Sequence, residues 1–116
     1  MKAAVLAFGM LVACSMAHAA KEHGVEVYPG AKPAPEVTQQ LKEKMNLNAA
    51  AYRTTDSVDK VAAFYSKQPL KENPGRNKGG ASFSMGDKVM VSIQNPWMDM
   101  VTGKVTNDTL ISIVKH

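Results

Sequence analysis

The apolar positions of this chain change period part-way along it. Residues 36–46, EVTQQLKEKMN, set Val37, Leu41 and Met45 four apart, one stripe of an α-helix. Pro35 suits the first helical position, Glu36 the first turn, and Lys42 and Lys44 the end, as the helix dipole favours. Residues 49–55, AAAYRTT, alternate weakly and read as a short strand. The block TTDSVDKVAAFYSKQP then places Val58, Val61, Ala62 and Tyr65 at i, i+3, i+4 and i+7, with Phe64 at the border. Asp56 or Ser57 caps this second helix, Asp59 lies in its first turn, and Pro69 stops it.

Beyond the polar loop 70–80, LKENPGRNKGG, the period falls to two. Ala81, Phe83 and Met85 alternate with Ser82 and Ser84, and Gly86-Asp87 marks a hairpin turn. Val89, Val91 and Ile93 alternate with Lys88, Met90, Ser92 and Gln94. A connection, NPWMDMVTGKVTND, spans 95–108. The strand TLISIVK at 109–115 hardly alternates, as expected of a central strand or one covered on both faces. Ahead of all this, Val25 and Val27 flank Glu26, and Tyr28-Pro29-Gly30 signals a turn.

Helix, strand, helix and three strands predict an α+β fold: two short helices packed on a mostly antiparallel sheet of about four strands, ending in a β-meander. The second helix, at 57–68, should cross the sheet over Phe83, Val89, Val91 and Ile93. One cluster of Val61, Tyr65, Phe83, Val91 and Ile113 should form the core. Residues 20–35 read as an extended lead-in and 36–116 as a single domain.

Residues 1–19 carry a different pattern. Lys2 precedes an apolar run from Ala3 to Ala13, then small residues, the order of a secretory signal peptide. The run is shorter than the roughly 20 residues a membrane span needs, and no later segment approaches that, so no transmembrane helix is expected. Two processing signals overlap. Leu11-Val12-Ala13-Cys14 is a lipobox, with lipid attachment at Cys14; Ala17-His18-Ala19 is an A-x-A site, with cleavage between Ala19 and Ala20. Val12 is a less usual lipobox residue than Ser or Ala, which favours release into the periplasm or medium. The alternative is a membrane-anchored lipoprotein, and membrane contact is expected only if Cys14 is lipidated.

Charge and motif content exclude more than they identify. After Ala19 the chain has 13 Lys and Arg against 10 Asp and Glu, scattered along it, unlike the clustered basic face of a nucleic-acid binder. Cys14 is the only cysteine, so release leaves no disulfide and no thiolate. His23 and His116 stand near the two ends of the mature chain, where no scaffold holds a general base. No G-x-S-x-G, H-E-x-x-H or phosphate-loop motif occurs, and no catalytic residue or cofactor is assigned. Lys71, Arg76 and Lys78 in the 70–80 loop read as solvated surface, or as a contact for an anionic partner.

Two features remain. Met98-Asp99-Met100 is an M-x-M, whose thioethers suit Cu(I), while Met45 and Met85 read as core filler. Trp97, the only tryptophan, either plugs an open end of the sheet or joins Met98 and Met100 in a partly exposed apolar patch for a partner. Asn95-Pro96 would start a single helical turn presenting that patch.

The segments YPGAK at 28–32 and YRTTDSVDKVAAFY at 52–65 resemble a small exported bacterial domain of unknown function. Such domains open Y-P-G-A, carry Y-x-T-x-D-S-x-x-x-V-x-x-F-Y and end in a β-meander. The resemblance covers about residues 25–115 and implies an α+β fold in an envelope setting, with no catalytic residues to transfer. The reading is a non-enzymatic bacterial cell-envelope protein, a small binding or accessory domain whose partner is an envelope protein or ligand. Its alternatives are periplasmic copper handling through Met98 and Met100, and a small enzyme with an unrecognised site.

Overall fold

The computed structural model describes residues 20–116; Cys14 and Ala19 lie outside the described residues. Elements run β1 (Lys21–Glu22), β2 (Val25–Glu26), β3 (Lys32–Pro33), α1 (Pro35–Met45), β4 (Asn48–Thr54), α2 (Val58–Ser66), β5 (Lys71–Glu72), β6 (Gly80–Met85), β7 (Val89–Gln94), β8 (Trp97–Met98), β9 (Val105–Thr106) and β10 (Thr109–Lys115). Six strands form one antiparallel sheet in the order β3-β4-β10-β7-β6-β5, and β1-β2 and β8-β9 form two small separate sheets. This corrects the expected sheet of about four strands. The expected closing meander is also interrupted, because the β8-β9 hairpin intervenes between β7 and β10. The strands missed are two residues long, and two residues have no period to detect.

β10 pairs with β4 on one side and β7 on the other, in registers that align Ile111 with Tyr52 and Ile93, and Ser112 with Ala51 and Ser92. Its first six residues are buried, which its unbroken apolar run requires. The pleat sends Ile111 and Ile113 to one face and Leu110, Ser112 and Val114 to the other.

α2 covers the first face. Ser57 starts the helix, its Oγ accepting from the Lys60 N–H at 3.1 Å. Val61 and Tyr65 pack with Phe83, Val91, Ile93, Ile111 and Ile113 in one dry cluster. The lead-in at 20–35 is folded into this cluster: Val25, Val27 and Tyr28 are buried there. The Tyr65 hydroxyl donates to the Glu26 carbonyl at 2.8 Å, fastening β2 over the helix.

α1 covers the second face along β4. Its start supplies what β3 leaves unpaired: the Ala34 N–H donates to the Ala51 carbonyl at 2.9 Å, and Thr38 Oγ1 accepts from the Ala51 N–H at 2.9 Å. These bonds close an edge that would otherwise invite another strand. Asn46, in the left-handed region at φ 54, ends the helix.

Candidate functional site

On the second face α1 leaves part of the sheet uncovered, and a groove of about 400 Å³ opens there. Its floor is the second-face row of β10, Leu110, Ser112 and Val114, beside Gln94, Ser92 and Met90 of β7. One wall is α1, with Val37, Gln40, Leu41 and Met45, continued by Leu47. The other boundary comes from the β8-β9 hairpin, with Trp97, Met98 and Met100. None of these fourteen described lining residues is charged. Ser92 and Ser112 are register partners, and their short side chains give the floor its depth.

The tryptophan anchors the hairpin. Trp97 is 6% exposed and packs with Ala34, Val37, Ala51 and Leu110. Its Nε1 donates to Asp108 Oδ1 at 2.7 Å. Arg53 Nε donates to the other carboxylate oxygen at 2.8 Å, and its guanidinium lies 5.2 Å from the indole centroid. One carboxylate thus holds both the ring and the cation stacked on it.

Asp99 shapes the hairpin tip. Its Oδ1 accepts from the backbone N–H groups of Val101 and Thr102 at 2.8 and 2.9 Å, and its carbonyl accepts from the Gly103 N–H at 2.8 Å. The N–H donors, Thr102 first, hold its carboxyl below the usual range. Gln40 of α1 reaches Asp99 Oδ2 at 3.4 Å, linking tip to wall. Gly103, at φ 75, permits the tight return. This Asp–Gly turn closes the chain into a hairpin, and the single helical turn expected from Asn95-Pro96 does not form; that peptide bond is cis.

The sequence candidates therefore separate. Trp97 is a buried plug, while Met98 and Met100 are 61% and 44% exposed on the groove rim. The pattern missed two further methionines. Met45, read as core filler, is 53% exposed at the helix end, and Met90 occupies the polar phase of β7. An apolar residue in a polar phase was the available signal for Met90. Of the five methionines after residue 19, all but Met85 line this groove.

Other candidates dissolve on inspection. Arg76 is committed to Glu72 by two bonds of 2.6 and 2.9 Å, weakening the 70–80 loop as an anion contact. A second concavity of about 410 Å³ contains Lys32, Arg53 and Asp108, but Arg53 is already engaged by Asp108 and Trp97. His23 lies in the β1-β2 turn, and the His116 N–H donates to the Lys88 carbonyl at the opposite end of the chain. Among the described residues no three His, Cys, Asp or Glu side chains gather to hold a metal, and no helix is long and apolar enough to cross a membrane. Ala20, the residue after the A-x-A site, is exposed and its carbonyl accepts from the Val27 N–H at 2.8 Å. Comparison with protein-family models, curated proteins and solved structures finds no match to this chain.

Proposed function

We propose that this chain is a non-enzymatic bacterial cell-envelope domain that binds a ligand or partner in the groove between α1 and the sheet. The single observation carrying this reading is the lining: uncharged, largely apolar, and walled by methionines beside a fixed tryptophan. Sites for small molecules are concave and mostly apolar with a few polar groups, and Met side chains adapt to what they contact. The envelope setting rests on the leader pattern of residues 1–19 and on the Y-P-G-A and Y-x-T-x-D-S resemblance.

Nile red, an uncharged apolar dye, tests the site. We expect saturable, one-to-one dye binding to the native protein, weakened at least tenfold by Met90→Lys with the melting temperature held. Dye uptake only after unfolding would remove the groove as a site. Intact mass of the protein from its own host tests the setting: a chain beginning at Ala20 supports release, and an acylated Cys14 assigns it to the membrane surface.

The copper reading gains one observation, since Met45 and Met90 join Met98 and Met100 along a single groove. Thioethers are soft ligands suited to Cu(I). Against it, Met90 stands opposite Val114, at the far end of the floor from Leu110, where Trp97 packs. The methionines are thus spread along the groove. Silver(I), a redox-inert substitute for Cu(I), distinguishes the two: metal-induced shifts of all four methionine methyl resonances at one equivalent would favour copper.

A further inference from the structure

We propose that the groove takes an uncharged, linear aliphatic chain laid along β7 and β10. This deepens the groove reading above and rests on it. Three observations select the ligand class.

The first is shape. The floor runs with the strands, from the Leu110–Gln94 pair to the Val114–Met90 pair. Four residue steps make it about 13 Å long. Between those ends the floor is the register pair Ser112 and Ser92, whose short side chains leave room above the strands for a chain laid along them. A staggered hydrocarbon advances about 1.3 Å per carbon, so roughly ten carbons fill the length.

The second is charge. No described lining residue carries one, and Asp99, between Met98 and Met100 in the chain, is turned to its own loop amides and Gln40. A carboxylate or ammonium entering the groove would lose hydration and gain no ion pair.

The third is polarity along the length. Gln40 and Gln94 belong to the Trp97 end, while Met45, Leu47, Met90 and Val114 make up the other. Gln94 is exposed and offers both a donor and an acceptor. The hydroxyl or ester end of the ligand lies there, and the tail runs toward Met90.

The test uses protein produced from the full-length sequence, with Nile red displacement and Trp97 emission as readouts. Octanol, decanol, dodecanol and tetradecanol are compared with decanoate. Each methylene seated on the floor should tighten binding about fourfold. The gain should stop near ten to twelve carbons, where the chain outruns the floor. Decanoate should bind at least tenfold more weakly than decanol. Ser112→Leu, which fills the middle of the floor, and Met90→Lys should each weaken decanol at least tenfold. Met90 lies on the open face, so its variant serves if Ser112→Leu does not fold. A variant with Met45, Met90, Met98 and Met100 all changed to Leu should keep decanol binding and lose any silver(I) response.

Nile red binding without displacement by any alcohol overturns the ligand class and leaves the groove standing as a site. Equal binding of decanoate, or affinity that rises without a plateau, also overturns it. Absence of both dye and alcohol binding removes the groove reading with it.

Discussion

The two faces of the central sheet are made by alternate residues of the same strands, yet they are built on opposite terms. The α2 face uses Phe83, Val91, Ile93, Ile111 and Ile113, all fully buried under Tyr65 and Val61. The α1 face uses Ser82, Ser92, Ser112, Met90 and Gln94, with one small cluster around Trp97. Aromatic rings tie the first face together: Tyr28, Phe64 and Tyr65 meet edge to face at centroid distances of 5.4 and 4.9 Å. The second face keeps its one aromatic at the edge of the groove. Stability is concentrated on one side of the pleat, which leaves the other free to hold an open concavity.

Adjacent residues of β7 offer the strongest way to break this comparison. Val91→Asp places an unpaired charge in the dry face and should cost several kcal/mol, on the order of the penalty for a buried charge, with a large fall in Tm. Met90→Asp, one residue away on the open face, should shift stability by about 0.5 kcal/mol or less. Similar melting curves for the two would mean that the faces do not differ as described.

The Trp97 anchor comes next. Because the ring is buried and bonded to Asp108, native emission should be blue-shifted and resistant to iodide. Trp97→Phe removes the Nε1–H donor and should destabilise by about 1–2 kcal/mol, a typical cost for a lost buried bond. Emission that is red and readily quenched would reassign Trp97 to the surface.

The faces should also fail at opposite ends of the pH scale. Burial, then the hydrogen bond to Asp56, push the Tyr28 hydroxyl up to about 12. A raised tyrosine stabilises the fold below its ordinary value near 10 and loses that contribution as pH rises through about 12. The Asp99 carboxyl is depressed by the Thr102 and Val101 amides. Its contribution is present above the ordinary carboxylate value, about 3.9, and is lost as pH falls through the lower folded value. Near-ultraviolet tyrosine signals should therefore change on alkaline titration. Nile red affinity should hold from neutrality to about pH 5 and fall only below about pH 4. Asp99→Asn should abolish that acid limb.

The smallest expected effect is on stability at the rim. Met98→Ala and Met100→Ala should each change stability by no more than about 0.5 kcal/mol, because both side chains are well exposed, while each weakens dye binding. A large loss of stability in either would move the methionine from the groove wall into the fold.

Periodicity reached the dry face more fully than the open one. Val58, Val61, Ala62 and Tyr65 are all buried where the helical spacing placed them, and Phe83, Val91 and Ile93 are buried at period two. The cluster of Val61, Tyr65, Phe83, Val91 and Ile113 is found as one. Burial on a regular element repeats, so sequence records it. The groove is assembled from a helix end, alternate positions of two strands and a hairpin tip, and its edge depends on where α1 stops covering the sheet. Met45 shows the limit: its spacing from Leu41 is that of a core position, but the helix has run past the cluster by then. Asp108 ends the 95–108 connection, and its contacts with Trp97 and Arg53 depend on a register between β4 and β10 that no local pattern encodes.

The placement of β10 carries a consequence for how the molecule assembles. It is the last of the described strands, yet β4 and β7 meet only through it. Pairing Leu110 with Arg53 closes a loop of about 57 residues, a slow kind of contact to form. Until residues 109–115 have emerged from the ribosome, the β6-β7 hairpin and the α1-β4 unit remain two halves without a seam. The β4 and β7 edges that β10 joins stay unpaired throughout that interval, and the sheet closes late, when its final strand slides between them.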